Sequence, residues 1–352
     1  MVTTPFARKP RESFGLDIGT SAVKVVQLRQ TPAGWMLTAH ASVPLPPDVI
    51  AEGTIKDPPA VVEAIKEAVA KAGVTTRDAA IGVAGRDLIT KKVQLPEVPV
   101  KELRDAVELE AEHHIPFAFD EVFLDYHVVR RQGGVMDLLI VAVKKSKVHE
   151  YVAVVEAAGL RPVIVDVDGF ALGNQFEVNR PDDSGEAVAL IDMGAAVMKT
   201  TVIHRGAPIF ARDIPFGGNQ YTQAIADRLH ATFEHAERVK VGEVTDVAWE
   251  TIVPTLEAVS RELALEVRRT FDYFGSTSES ERIGRVVMSG GAARLRGLTE
   301  YLSSTWSIPV EVARPLERID VDPGLMEPAT AAGPALAVAI GLALRDPGER
   351  RE

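Results

Sequence analysis

Two copies of one short pattern limit what this chain can fold into. Phe14-Gly-Leu-Asp-Ile-Gly-Thr-Ser-Ala-Val-Lys-Val-Val-Gln-Leu28 reads as two strands joined by a tight turn. Ala189-Leu-Ile-Asp-Met-Gly-Ala-Ala-Val-Met-Lys-Thr-Thr-Val-Ile203 repeats strand, Asp-x-Gly, strand. A single Asp-x-Gly turn is common in ordinary hairpins; a second copy of the whole unit predicts two similar lobes. Gly19 lets backbone approach a ligand with no side chain in the way. Thr20 and Ser21 add hydroxyls beside it, and such a turn can aim N–H groups at an anion. The carboxylates Asp17 and Asp192 cannot donate to phosphate; beside a phosphate they work through a divalent cation or its waters. Two such hairpins facing each other would grip a phosphate tail, with a metal ion between the carboxylates. This is not a Walker loop: no Gly-Lys-Ser/Thr ending is present, and no helix directly follows.

With 352 residues the chain has room for about two domains with sizeable cores. Its net charge of −11 disfavours nucleic acid as a partner. With no cysteine, disulfides, thiol catalysis and Cys-ligated zinc are excluded, which fits a reducing compartment. Residues 1–13 carry Arg8, Lys9 and Arg11 without an apolar run behind them, so they read as a flexible start and not a signal peptide. No stretch is read as the ~20 apolar residues of a membrane span, and residues 345–352 read as a polar tail.

Between the hairpins, residues 35–43 read as a third strand. Asp57-Pro-Pro opens a helix that Gly73 closes, and residues 79–84 form a short buried strand. From Gly85 the texture changes. Residues 88–95 suggest a strand with exposed lysines, 100–114 an acidic helix, and 122–130 with 135–143 a hairpin. Ser146 is the expected cap of a further helix, and residues 160–167 return to an apolar strand. His113-His114 lack a metal-binding arrangement, since adjacent helical residues do not share a face. The run Ile115-Pro116-Phe117 reads either as core or as part of a groove for a partner. After an expected linker at 181–186, Gly217-Gly218 open a helix, as a plain turn or as another close approach of backbone to a ligand. Glu237 and Lys240 share a helical face and by themselves read as a solvated ion pair. A long amphipathic helix covers 251–274. The strand from Ile283 ends in Gly290-Gly291, a natural bed for a flat base or ribose. Residues 334–344 form an alanine-rich helix suited to close packing.

In this order the pieces resemble the actin-like ATPase superfamily. That resemblance implies an α/β fold of two ribonuclease-H-like lobes that bind ATP, with Mg held near Asp17 and Asp192. It assigns Asp17, Gly19, Thr20, Ser21 and Lys24 to the first phosphate motif, and Asp192 and Gly194 to the second. Gly217, Gly218, Glu237 and Lys240 match stretches that touch phosphate, ribose and adenine, and Gly290 and Gly291 match the adenosine motif. The implied division is a first lobe at 14–84, completed by 160–180 and 331–344. An inserted 1C-type subdomain covers 85–159, and the second lobe covers 186–330 with its outer part near 219–282. The middle section (Arg86 to Pro96, Glu102-Leu103, Glu110 to Phe117, Asp125-Tyr126) is similar to the PilM family of type IV pilus assembly proteins.

That family resemblance implies a cytoplasmic protein held at the inner membrane through its partner, without inserting itself. The partner is the N-terminal cytoplasmic peptide of a PilN-like protein, seated between the first lobe and the insertion. Other platform proteins and assembly ATPases are further expected partners. The sequence departs from its relatives after Gly194, where alanines replace hydroxyl residues. No evident general base appears, with Asp168 the nearest residue for orienting water, so hydrolysis is expected to be slow at most. The competing readings are an FtsA-like or GspL-like membrane-associated protein, and a small-molecule kinase of the same fold.

Overall fold

The strands around Asp17 and those around Asp192 are hydrogen-bonded in the same way. In each hairpin the aspartate is the last but one residue of the first strand and lies directly across from a lysine on the second, Asp17 opposite Lys24 and Asp192 opposite Lys199. The computed structural model describes residues 12–51, 53–180, 185–244, 246–277 and 281–347. Residues 1–11 of the expected flexible start, 181–184 of the expected linker and 348–352 of the expected tail lie outside the described residues.

Strands β1 (Phe14–Ile18), β2 (Ala22–Thr31) and β3 (Gly34–Pro44) form an antiparallel meander. A small hairpin, β4 (Ile50–Ala51) and β5 (Thr54–Ile55), leads to helix α1 (Pro58–Ala72) and to β6 (Asp78–Val83), parallel to β1. The ends of α1 follow local chemistry. Asp57 accepts the Ala60 N–H at its start, prolines occupy the first turn, and Gly73 closes it at φ 68°. The insertion contains β7 (Leu88–Pro96), α2 (Val100–Glu112), β8 (Val122–Gln132) and β9 (Val135–Lys144). Its sheet has β9 in the middle, and Leu103, Val107, Ala111 and Ile115 pack beneath.

Helix α3 (Lys145–Ala157) follows. Ser146 lies inside it and does not cap it; Lys144 holds the cap position without a side-chain bond. Tyr151, Val154 and Val155 of α3 join the core of the first lobe, as do Leu139, Val141 and Val143 on one face of β9. Strand β10 (Arg161–Val167) and helix α4 (Asp168–Asn179) complete the first half.

The second lobe repeats the plan. It contains β11 (Ala187–Met193), β12 (Met198–His204), β13 (Ala207–Ile214), α5 (Gly218–Leu229), α6 (Phe233–Lys240), α7 (Trp249–Thr277), β14 (Ile283–Ser289), α8 (Leu298–Trp306) and β15 (Val310–Val312). The strand orders are β10-β6-β1-β2-β3-β16 and β15-β14-β11-β12-β13, with equivalent pairs running in the same sense. The sixth strand of the first sheet, β16 (Ile319–Val321), pairs with β3. It is followed by α9 (Met326–Ala332) and α10 (Ala337–Ala343). Residues 319–330, which the sequence reading places in the second lobe, therefore return to the first, where Ile319 and Ala329 pack with Leu28 and Leu37.

Helices α4 and α10 sit between the sheets. Their Ala171, Leu172, Val338 and Leu342 share one buried cluster with Ala80 of the first sheet and Val188 and Leu190 of the second. The run 323–343 has the length and composition of a membrane span, contrary to the sequence reading. More than half of it is buried, and it breaks at Gly333 (φ 37°).

Candidate functional site

Both Asp-x-Gly turns open into one cleft of about 1400 Å³, larger than most small-molecule pockets. The turns match in detail: Gly19 N–H donates to Ala22 O and Gly194 N–H to Val197 O, each at 3.1 Å. Asp17, Gly19, Thr20, Ser21, Lys24, Asp192 and Gly194 all line the cleft, so the structure brings both expected phosphate motifs to one place. Lys24 Nζ donates to Asp17 Oδ2 at 2.8 Å.

Lys199 was not singled out from the sequence. Its ammonium lies 2.9 Å from Asp168 Oδ2 and 3.3 Å from Asp192 Oδ2, while Ser289 Oγ donates to the other Asp192 oxygen at 3.0 Å. Lys199 stands seven positions after Asp192, as Lys24 does after Asp17; that shared spacing is the signal that could have found it. Asp168 begins α4 and lies against Gly82, where any side chain would overlap its carboxylate. Asp168 is therefore part of the cleft floor, and its carboxylate is tied to an ammonium.

Charge and burial act together on this floor. Burial alone would raise the Asp17 carboxyl, but the Lys24 and Lys199 ammoniums and the Lys24 hydrogen bond hold it below the usual carboxylate range. Burial raises Asp168, with Asp17 and Asp192 adding to the effect against the opposing pull of Lys199. Burial disfavours the Lys199 ammonium, yet the surrounding carboxylates hold its pKa well above the ordinary lysine value. The hard carboxylate oxygens of Asp17 and Asp192 suit Mg. Among the described residues no group of three or more His, Cys, Asp or Glu is arranged to hold a metal alone. A divalent ion here fits best with phosphate and water as most of its ligands.

The second lobe supplies the far wall. Gly218 N–H donates to Gly194 O at 2.9 Å and Asn219 N–H to Ala195 O at 2.8 Å, which ties the start of α5 to the second hairpin turn. A Cβ on Gly217 would lie 2.5–2.6 Å from backbone of Gly194 and Ala195, so glycine is required there for packing; Gly217 itself does not line the cleft. Glu237 and Lys240 are more than a solvated pair. Lys240 Nζ bonds Glu237 at 2.7 Å, Thr222 Oγ1 at 2.9 Å and Gly218 O at 3.1 Å, fixing α6 to α5 beside the cleft. Gly290, at φ 86°, presses on the backbone of Met193, and Gly291 opens a 3-10 turn (Gly291–Arg294). Sequence reasoning missed Trp249 and Arg296, which line this end with the guanidinium 5.5 Å from the ring centroid.

The expected partner residues are only partly accessible. Ile115 is buried in the core of the insertion, which removes it from any groove surface; Phe117 is half-buried and Pro116 exposed. The lysines of β7, read as exposed, are half-buried and face the second lobe. There Thr90 Oγ1 donates to Ala211 O at 2.6 Å, Lys91 bonds the Tyr273 hydroxyl at 3.2 Å, and Gly85 N–H donates to the Asp213 carboxylate.

Burial pushes Asp213 from 3.8 up to about 6, against the Gly85 bond and Lys199. An acid raised in the folded state holds its proton more tightly there than in the unfolded chain. Its stabilising contribution is complete below pH ~4 and is lost as pH rises through about 6. Asp213→Asn keeps an acceptor for Gly85 and removes the charge. The expected result is a higher melting temperature than wild type at pH 8 and little difference at pH 4.5. Melting curves with an equal offset at both values would refute this.

Comparison with known proteins follows the same lines. A family model described as type IV pilus assembly protein PilM matches residues 15–347. Cell division protein FtsA of Pseudomonas aeruginosa is 24% identical over 350 residues, covering 86% of this chain and 82% of that protein. The chain spans little more than half the length of FtsA from some other bacteria. A solved PilM-PilN type IV pilus biogenesis complex matches with a TM-score of 0.85 at 31% identity, covering 96% of this chain and 99% of that one. MreB 5 of Spiroplasma citri bound to AMPPNP matches with a TM-score of 0.52 at 13% identity, over 95% of each chain. The fold is that of the actin-like ATPases, as the ordered motifs implied.

Proposed function

This chain belongs to the type IV pilus assembly protein PilM family, and on that premise we propose that it is a cytoplasmic, ATP-binding scaffold of the pilus assembly platform. In this reading it holds the N-terminal tail of a PilN-like inner-membrane protein. The observation that carries the nucleotide part is the single cleft into which both Asp-x-Gly hairpins open, each with its cross-strand lysine. Lys24 and the turn backbone that follows Gly19 and Gly194 bind the phosphates, and the wall at Gly290, Trp249 and Arg296 receives the base and ribose. Asp17 and Asp192 hold Mg through water, where the ion offsets phosphate charge. The same fold holds AMPPNP in MreB 5.

Asp168, the residue expected to orient water, is engaged by Lys199, which supports retention of nucleotide over rapid turnover. Nucleotide between the lobes can bias a peptide groove only by binding its two shapes with different affinity. The seam of Thr90 and Gly85 with β13 offers a direct mechanical link from the second lobe to the insertion. On the outer side, exposed Phe123 of β8 stands against His149 of α3, and Val165 is exposed on β10. These apolar side chains are better placed than Ile115 to meet a peptide.

Calorimetric titration with a synthetic N-terminal peptide of a PilN-like protein, with and without Mg-ATP, tests this reading. The expected result is low-micromolar or tighter binding, about −8 kcal/mol, with an affinity that changes when ATP is present. Absence of peptide binding in both states, with ATP still bound, would overturn the scaffold and favour an FtsA-like role.

A further inference from the structure

The two hairpins share their Asp–Lys pairing but have diverged in how the lysine is used. The Lys24 side chain is 18% exposed and bonds one carboxylate, on its own hairpin. Lys199 is 11% exposed and joins two, Asp192 beside it on the second lobe and Asp168 at the head of α4. Four carboxylates gather around this point: Asp17, Asp168 and Asp192 line the cleft, and Asp213 of β13 is the cross-strand neighbour of Lys199 on β12. Without a positive charge among them, this floor would repel a polyphosphate. Charge–charge interactions are several-fold stronger in such a buried place than in water.

We propose that Lys199 is a resident cation of the phosphate cleft. Its ammonium supplies positive charge that lets the carboxylate floor accept a polyphosphate when no divalent ion is bound. This rests on the nucleotide reading above and adds to it how the site depends on Mg. The position of Lys199 is fixed by strand register, since it is the cross-strand neighbour of Asp192. Its ammonium is held by the carboxylates of Asp168 and Asp192, protein groups present without any metal. A lysine serving only to join α4 to β12 would affect stability and leave the cation dependence of binding unchanged.

The test is the ratio of nucleotide dissociation constants in EDTA and in Mg, measured on the full chain with a fluorescent ATP analogue. Lys199→Gln keeps hydrogen-bond donors for Asp168 and Asp192 and removes the charge. It is expected to raise the ratio at least tenfold over wild type. Adding Asp168→Asn restores the net charge of the floor and is expected to return most of that change, which a structural role would not do. As a second readout, Mn titration without nucleotide is expected to show tighter binding to the Lys199→Gln protein, because its carboxylates have lost their partner. If Lys199→Gln melts far below wild type, Asp168→Asn alone carries the comparison: it leaves Lys199 one carboxylate fewer to offset and is expected to lower the ratio below wild type, and an unchanged ratio in that folded variant would equally overturn the assignment. A ratio unchanged in folded Lys199→Gln would overturn the assignment while leaving the nucleotide site standing. Failure of wild type to bind nucleotide even with Mg would overturn the site itself, and the role of Lys199 with it.

Discussion

Asp17→Ala is expected to weaken nucleotide binding at least about 100-fold, or roughly 2.7 kcal/mol, in a protein that still folds. Asp17 is the last but one residue of β1, is 4% exposed, and accepts the Lys24 ammonium from the facing strand. Removing it has two effects on a bound polyphosphate. Lys24 loses the anchor that holds its long side chain in one geometry, so the ordering cost falls on binding. The first of the two carboxylates that would hold Mg through water is also gone. The fold should survive: β1 is held by backbone pairing to β2 and β6, and Leu16 and Ile18 keep their places in the core. The freed lysine reaches the cleft edge, which limits the cost of leaving it unpaired. Circular dichroism with calorimetry decides the matter. Retained affinity in a folded variant would count against a site built from both hairpins.

The hairpins could be read from sequence because their signal is local. Each is a run of apolar strand residues broken by Asp-x-Gly, and pairing across so short a turn fixes its register. The helix after Asp57 was readable for the same reason, with cap, prolines and glycine all within its own ends. Helix α4 gave no such signal. Asp168, Phe170, Leu172, Gln175 and Asn179 are all buried, because the helix is enclosed between two sheets. A helix buried on most sides has no polar face and hence no helical period to read. Strand β16 is three residues long and exists because the edge of β3 at Trp35 to Leu37 accepts it, a contact far away in sequence.

At the site, the residues that could be placed in advance were those whose role follows from their own turn. Lys199 carried a readable spacing, but its second partner, Asp168, lies across the lobe boundary. Trp249 and Arg296 come from α7 and from the loop before α8, and nothing in either segment announces the other. Ile115 follows a helix whose last turn continues by an Ile115 N–H to Ala111 O bond at 2.9 Å; that bond turns the side chain into the core of the insertion.

Gly341→Ala provides the largest expected loss of stability, and with a sign opposite to helix propensity. In an ordinary helix interior alanine is favoured over glycine by about 1 kcal/mol. In α10, a Cβ at 341 would fall inside van der Waals contact with the carbonyl of Ala171 in α4, with the Ala171 Cα 2.9 Å away. The obstacle is backbone, so no side chain can rotate to make room, and the two helices would have to separate. They cannot separate freely, because α10 is also seated on β1: a Cβ at Gly15 would overlap the Ala339 carbonyl. Overpacking at a contact of this kind costs about 3 kcal/mol or more, the upper end of the usual range, which exceeds the propensity gain. Gly275 of α7 is exposed and its Cβ would meet nothing within 4 Å, so Gly275→Ala isolates propensity. Denaturant unfolding should show Gly275→Ala neutral to about 1 kcal/mol more stable and Gly341→Ala strongly destabilised. Because α4 and α10 share one core with both sheets, the same substitution should also lower nucleotide affinity by changing how the lobes face each other. A Gly341→Ala protein as stable as wild type would mean that the α4–α10 contact is looser than described and does not set the cleft.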